Sequence, residues 1–201
     1  MQREIETKFD IPTESDTDSI IKKLEEVVQQ QGFTILTSTI VEREFQYYDT
    51  PNFEVYKKGE TIRRVGGFNP EKSKGIFRYD FKIGPIENRY EANHWTNKIL
   101  EPIEILEKFD PKKFYTEIYP SASASTQHHK IKLQREETLI EASIDYFSIK
   151  KEVGFKELEL ELEKGTILEL NGLSQVVQKQ LELETINKQK YSRVLEYKYN
   201  F

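Results

Sequence analysis

Between Glu157 and Glu163 every second residue is a glutamate and every residue between them is a leucine. A period of two belongs to a β-strand, whose side chains alternate between faces. One face of this strand is therefore all carboxylate and the other all leucine. The N-terminal stretch Arg3–Asp10 repeats the layout, with Glu4, Glu6 and Lys8 on one face and Ile5, Thr7 and Phe9 on the other. Further on, Arg78, Asp80 and Lys82 share a face opposite Phe77, Tyr79, Phe81 and Ile83, and Arg89 and Glu91 share one opposite Tyr90. A chain built this way must form a sheet with one charged face and one apolar face.

The remaining elements fit around those strands. Pro12–Asp18 offers helix-start chemistry, Ile20, Ile21, Leu24, Val27 and Val28 recur at helical spacing, and Gly32 supplies a stop. Phe33–Tyr48 turns to β composition and Asp49–Asn52 reads as a turn. Strands are expected at Thr61–Val65, Gly75–Ile83 and Asn88–Trp95, with a loop at Gly66–Pro70 and a stop at Gly84–Pro85. Lys98–Tyr119, broken by Pro102 and Pro111, suits short helices, and Ser121–Thr126 reads as a flexible connection between two halves. Lys130–Gln134 and Leu139–Asp145 form a hairpin turning near Glu136–Thr138. A second helix is expected at Leu173–Leu183 and a last strand at Lys190–Tyr199. The fold class is α+β, a single domain over residues 1–201.

The two signs of charge fall on different strands. Acids concentrate on the first and the Glu157 strands, while bases occur on the Thr61, Gly75, Lys130 and Lys190 strands. One sheet with a solvated face explains each strand separately. A sheet rolled into a barrel brings the charged faces together across a polar lumen, with the helices packed outside. Acids on one wall then hold hard divalent cations through oxygen ligands, and bases on the others grip a polyanion. A triphosphate, which chelates Mg²⁺ along its length, meets both requirements.

Composition removes several other classes. There is no cysteine, so disulfide scaffolds, thiolate zinc sites and cysteine nucleophiles are excluded. Three histidines, two of them the adjacent His128 and His129, make a poor metal cluster. A net charge of −5 argues against a nucleic-acid or anionic-membrane surface. With no signal-like N-terminus and no bilayer-length apolar run, the expectation is a soluble cytoplasmic protein.

The motifs, taken in order, resemble those of the CYTH superfamily, the triphosphate tunnel metalloenzymes. Glu4-Ile5-Glu6-Thr7-Lys8 matches its ExExK signature, and Tyr47-Tyr48-Asp49-Thr50-Pro51 is similar to its YYDTP turn. Gly59–Arg63 resembles the lead into its LRxR strand, Phe81–Gly84 the following lysine strand and Arg89-Tyr90-Glu91 its RxE. Arg135 and Ile144-Asp145 stand where a tunnel arginine and a strand-end aspartate are expected. Glu157–Leu162 with Gly165 is similar to the EIELEL strand, and Lys190-Tyr191-Ser192-Arg193 to the C-terminal lysine motif.

The resemblance implies a closed antiparallel eight-stranded β-barrel tunnel. Glu4, Glu6, Asp145, Glu157, Glu159 and Glu161 would bind Mg²⁺ or Mn²⁺. Lys8, Arg63, Lys82, Arg89, Arg135, Lys190 and Arg193 would hold the phosphates, with Glu4, Glu6, Lys8, Lys82 and Lys190 as the catalytic group. The partner implied is a small triphosphate (inorganic triphosphate, thiamine triphosphate or a nucleoside triphosphate), with no nucleic acid or membrane and with room for a homodimer. Hydrolysis is the first reading. A class IV adenylate cyclase and a non-catalytic polyphosphate-binding module are the others. Two positions depart from the pattern: Val65 replaces the second arginine of the LRxR strand, turning Arg64 outward, and Leu133 stands where a second base is common.

Overall fold

The computed structural model describes residues 2–67, 75–84, 89–109, 115–149 and 152–199. Phe68, Asn69, Pro70, Pro85, Asn88 and Pro111, which enter the loop, turn and element readings above, lie outside them. In chain order the elements are β1 (Gln2–Glu4), β2 (Glu6–Ile11), α1 (Thr17–Gln30), β3 (Thr34–Asp49), α2 (Glu54–Lys57), β4 (Thr61–Gly66), β5 (Phe77–Ile83) and β6 (Arg89–Thr96). They continue with α3 (Pro102–Phe109), β7 (Tyr119–Arg135), β8 (Thr138–Ile149), β9 (Glu152–Lys164), α4 (Ile167–Leu181), β10 (Glu184–Thr185) and α5 (Lys190–Tyr199). The class is α+β.

All ten strands join one antiparallel sheet, in the order β1-β6-β5-β4-β3-β7-β8-β9-β2-β10, curled like a half-barrel. The count is ten rather than eight for two local reasons. Ile5 interrupts the N-terminal strand, and Glu184–Thr185 adds a short pairing to β2. Across that interruption Glu4 pairs with Arg89 of β6 while Glu6 pairs with Glu161 of β9, so one short segment borders strands from opposite ends of the sheet order.

Register carries the sequence alternation around the sheet. Lys8 faces Glu159, Asp145 faces Glu157, His128 faces Asp145, Tyr47 faces Arg63, Arg63 faces Asp80, and Lys82 faces Glu91. These positions share the inner face. The outer face of β2, β7, β8 and β9 presents Phe9, Ile131, Leu133, Ile144, Leu158 and Leu160, packed against Leu24 and Val28 of α1 and Leu170 and Val177 of α4. Leu158 and Leu160 are fully buried. On the other side, α3 contributes Ile105 and Leu106 to the cluster holding Tyr79 and Phe81.

The helices obey their caps. Asp16 accepts from the Ser19 amide at 3.0 Å to start α1, and Gly32 leaves it at φ +79°. Helix α4 starts earlier than Leu173 because Thr166 and Glu169 form a reciprocal capping box just after Gly165.

Two expectations are corrected. Lys190–Tyr199 is helix α5, not a strand: Tyr191, Val194 and Leu195 are its buried residues, a spacing of three and four that only a helix puts on one face. Ser121–Thr126 is not a flexible connection but the first part of β7. Ala122 pairs with Tyr47 and Ala124 with Phe45, on a face crowded with rings. Phe45, Phe147 and Phe155 stack in a row with centroids 5.5 and 4.6 Å apart, and Tyr191 of α5 stacks on Tyr47 at 5.0 Å. Ala122 and Ala124 are small where the inner face is already filled, while Ser123 and Ser125 are exposed on the opposite parity.

Candidate functional site

The ring stack and α5 occupy one part of the inner face, and the charged residues line a cavity of about 240 Å³ in another. Most of its acids come from β1, β8 and β9, with Glu91 from β6, and its bases come from β1 through β7 and from α5. The YYDTP turn fixes α5 against this cavity. Asp49 accepts from the amides of Thr50, Val55 and Tyr56 at 2.7, 2.8 and 3.0 Å, and from the Tyr191 hydroxyl at 2.7 Å. Thr61 donates to the Gln189 side chain at 2.7 Å. Lys190, between Gln189 and Tyr191, is thereby aimed inward from a helix where the sequence suggested a strand.

Acids and bases meet in pairs. Lys82 Nζ lies 2.7 Å from Glu4, and Arg89 Nη1 lies 3.2 Å from Glu6. Lys8 bridges Glu6, at 3.2 Å, and Glu159. The Lys190 ammonium sits among Asp145, Glu157 and Glu159, at 2.6, 3.4 and 2.6 Å. Arg63 and Arg78 both hold Asp80, each at 2.7 Å.

Burial opposes charge at several of these groups, and their partners decide the outcome. At Glu4 burial opposes ionisation, and Lys82 and Arg89 more than offset it, holding the carboxyl below its usual range. At Glu159 and Asp145 burial is likewise overcome, chiefly by Lys190, and both carboxyls fall. Burial also opposes the Lys190 and Lys8 ammoniums, but Asp145 and Glu159 respectively raise them. Glu157 and Glu161 go the other way: burial dominates, and Glu161, with Glu4 beside it, is pushed up to about 8. Two adjacent buried carboxylates without a cation between them cannot both stay charged cheaply.

Several buried polar atoms of cavity-lining residues have no hydrogen bond: Glu4 Oε2, Arg89 Nε and Nη2, and His128 Nε2; Glu157 Oε1, beneath the cavity, has only the Lys190 ammonium at 3.4 Å. One oxygen each from Asp145, Glu157 and Glu159 lies within 4.8 Å of the others, all hard donors that fit Mg²⁺ or Mn²⁺. Glu4, Glu6 and Glu161 extend the same wall through the Glu6–Glu161 register.

Most of the sequence-derived residues are brought together. Glu4, Lys8, Arg63, Lys82, Arg89, Glu159, Glu161 and Lys190 border the cavity. Asp145 is mid-strand in β8 rather than at its end, and Glu157 lies beneath Lys190. Arg193 is committed to Glu157 at 3.0 Å and Asp10 at 2.5 Å, with its guanidinium over the Phe155 ring at 4.0 Å.

Arg135 is a correction. It stands at the end of β7 on the outer-facing parity, donates to the Gln31 carbonyl at 3.1 Å and lies over the Phe33 ring at 4.5 Å. It packs against the end of α1, away from the cavity. Leu133 shares that parity and is buried in the outer cluster, so a base there would not reach the lumen. Val65 does lie on the inner face, fully buried, and Arg64 points outward onto Phe77 at 5.3 Å.

The bases that do line the cavity from neighbouring strands are Arg43, Arg78 and Lys130, along with His128. Sequence reasoning left them out of the site. The signal was present: Arg78 shares parity with Lys82, and Lys130 with His128, whereas Arg135 has the opposite parity.

No family model and no curated protein matches this sequence significantly. Solved structures do. A candidate adenylate cyclase from Bacillus halodurans superposes with a TM-score of 0.60 at 15% identity, over 96% of this chain and 98% of that one. The protein PH1819 from Pyrococcus horikoshii gives 0.60 at 17% identity, over 97% and 99%. A candidate adenylyl cyclase from Hippeastrum, described as having a dominant triphosphatase activity, gives 0.56 at 14% identity, over 94% and 93%. At such identities the likeness is one of fold.

Proposed function

We propose, for a chain with the triphosphate tunnel fold, that it is a divalent-metal-dependent triphosphatase acting on a small triphosphate. The observation that carries the reading is the pairing of Glu4, Glu6, Asp145 and Glu159 with inner-face bases around one cavity, which leaves Glu161 without a cation among the described residues. A bound metal–triphosphate complex would offer each wall a partner of the opposite sign. The acids would take metal in place of ammonium and guanidinium, and the bases phosphate in place of carboxylate. The unpartnered atoms of Arg89, Glu4 and Glu157 suit that exchange.

In this reading the N-terminal segment, which borders β6 through Glu4 and β9 through Glu6, closes the curled sheet into an eight-stranded tunnel. Asp145, Glu157 and Glu159, with Glu4, Glu6 and Glu161, would hold Mg²⁺ or Mn²⁺. A hard divalent cation supplies charge neutralisation at the phosphate oxygens. Arg63, Lys82 and Arg89, assisted by Arg43, Arg78 and Lys130, clamp the phosphates and keep the chain extended for in-line displacement. Lys8 and Lys190 lie at the junction of the two walls and offset charge developing on the departing phosphate or pyrophosphate. The Phe147 ring packs beneath Lys190, 5.7 Å from its ammonium.

The test is phosphate release from inorganic triphosphate and from ATP, with Mg²⁺ or Mn²⁺, by the wild-type protein and by Glu4→Gln/Glu6→Gln. The expected result is metal-dependent release that the double variant abolishes. Binding of triphosphate with no release from either substrate would overturn the reading in favour of a binding module, and cyclic AMP formed from ATP would replace it with a cyclase. The cyclase is kept as a second reading because two of the superposed structures carry that name, one of them with a dominant triphosphatase activity.

A further inference from the structure

Asp80 on β5 carries a carboxylate that no step above uses. It is fully buried and does not itself border the cavity, yet three residues that do, Arg63, Arg78 and Asn93, converge on it. Arg63 of β4 stands directly opposite Asp80 and donates from Nε to Oδ2 at 2.7 Å. Arg78, two residues earlier on the same face, reaches Oδ1 from Nε at 2.7 Å and donates from Nη2 to Oδ2 at 3.0 Å. Asn93 of β6, opposite Asp80 on its other side, turns its amide nitrogen to Asp80 Oδ1 and to Glu91 Oε1, each at 2.9 Å. Aromatic rings set both guanidiniums from a second direction: Arg63 lies over Phe45 at 5.0 Å and Arg78 over Trp95 at 5.7 Å.

We infer that Asp80 is a positioning residue for the phosphate-binding wall, holding Arg63 and Arg78 as a fixed pair of guanidiniums for the bound triphosphate. Asp80 takes the Nε edge of Arg63, which leaves both terminal amino groups to the cavity that Arg63 lines. One carboxylate shared by two arginines also keeps them side by side, where their like charges alone would drive them apart. A guanidinium already held in place loses less rotamer freedom when a phosphate arrives, so more of the contact is left as affinity. The same pair offsets the departure at Val65. That buried side chain faces Arg78 in register, so the base that β4 lacks there comes from the neighbouring strand.

This inference rests on the triphosphate-binding part of the reading above, and not on hydrolysis. Affinity for inorganic triphosphate with Mg²⁺ is read as KM if the protein turns over and as Kd by calorimetry if it does not. Binding without turnover would therefore sink the hydrolase and leave Asp80 to be tested, whereas no binding by wild type would overturn both. Charge and positioning predict opposite signs for Asp80→Asn. Deleting a carboxylate near a polyanion should tighten binding by charge alone, and loss of the anchor should weaken it. Partners that orient ligating side chains contribute about 10–100-fold, and a loss of that size is expected, with the metal-activation midpoint nearly unmoved. In an Arg63→Met/Arg78→Met background the same substitution should cost less than about two-fold, because its effect runs through the two guanidiniums. Tighter or unchanged binding by Asp80→Asn, or an equal loss in the background lacking the arginines, would overturn the inference. Where Asp80→Asn does not fold, Asn93→Ala repeats the comparison from an exposed position. Weaker binding that disappears in the same double-Met background supports the inference, and unchanged binding overturns it.

Discussion

The two faces of the same strands differ in what they are for. On β9 the outer residues Leu158 and Leu160 are fully buried against α1 and α4, and their neighbour Glu157 is buried just as firmly against Lys190 and Arg193, with Glu159 largely buried against Lys8 and Lys190. Burial alone therefore does not distinguish core from site. The outer face gains free energy from every apolar contact. The inner face loses solvation at every charge and regains it only through geometry, so its arrangement is retained for what it binds.

Removing one partner from each face sharpens that contrast and gives the largest expected effects. Lys190→Met leaves Asp145, Glu157 and Glu159 facing one another without the ammonium, and stripping one partner from a buried ion cluster costs ~3–5 kcal/mol. In chelator its unfolding midpoint should drop accordingly, and millimolar Mg²⁺ or Mn²⁺ should restore much of the loss. Leu158→Ala should lose a similar ~2–5 kcal/mol through its cavity, with no recovery in metal. Urea titrations with and without metal decide the matter. Equal metal responses in the two variants would break the distinction between the faces.

A smaller effect separates a lumen base from one that only resembles it. Arg63 holds Asp80 inside the curl, while Arg135 lies over Phe33 outside it. One charge-assisted phosphate contact is worth ~1.5–3 kcal/mol, so Arg63→Met should lower kcat/KM by about 10- to 150-fold. Arg135→Ala should leave it within about two-fold, the range usual for a surface change. Comparable losses in both would return Arg135 to the site.

How much of this was legible depended on periodicity. The charged inner face could be read because strand alternation has a period of two and its errors do not accumulate: Glu4, Glu6, Lys8, Lys82, Glu159 and Glu161 all lie where the alternation puts them. Arg135 was misplaced because a motif position was followed past the parity of its own strand. Lys190 reached the site from a helix because the alternating tyrosines of Lys190–Tyr199 imitate a strand, while Tyr191, Val194 and Leu195 set the helical stripe. Ser121–Thr126 looked like a linker because small residues are ambiguous without their partners. Only the rings of Phe45, Tyr47 and Phe147 explain why nothing larger fits.

The smallest expected effect lies within the inner face itself. Glu161 is raised to about 8 by burial and by Glu4, whereas Glu4 is held low by Lys82 and Arg89 despite its burial. A carboxyl whose folded value lies above its unfolded one binds more protons when folded. Its protonated form therefore favours folding below the unfolded value near 4.5, and that contribution is lost as pH rises toward about 8. Glu161→Gln keeps the neutral shape at every pH. In chelator it should melt close to wild type at pH 5 and a few degrees, about 2–4 °C, above it at pH 9. Saturating Mg²⁺ should erase or reverse that gain, because an acid that a metal can neutralise is a burden only without one. A variant that melts above wild type equally at both pH values would place the cost of Glu161 in packing rather than charge. The acid wall would then have to be read as structural at this position.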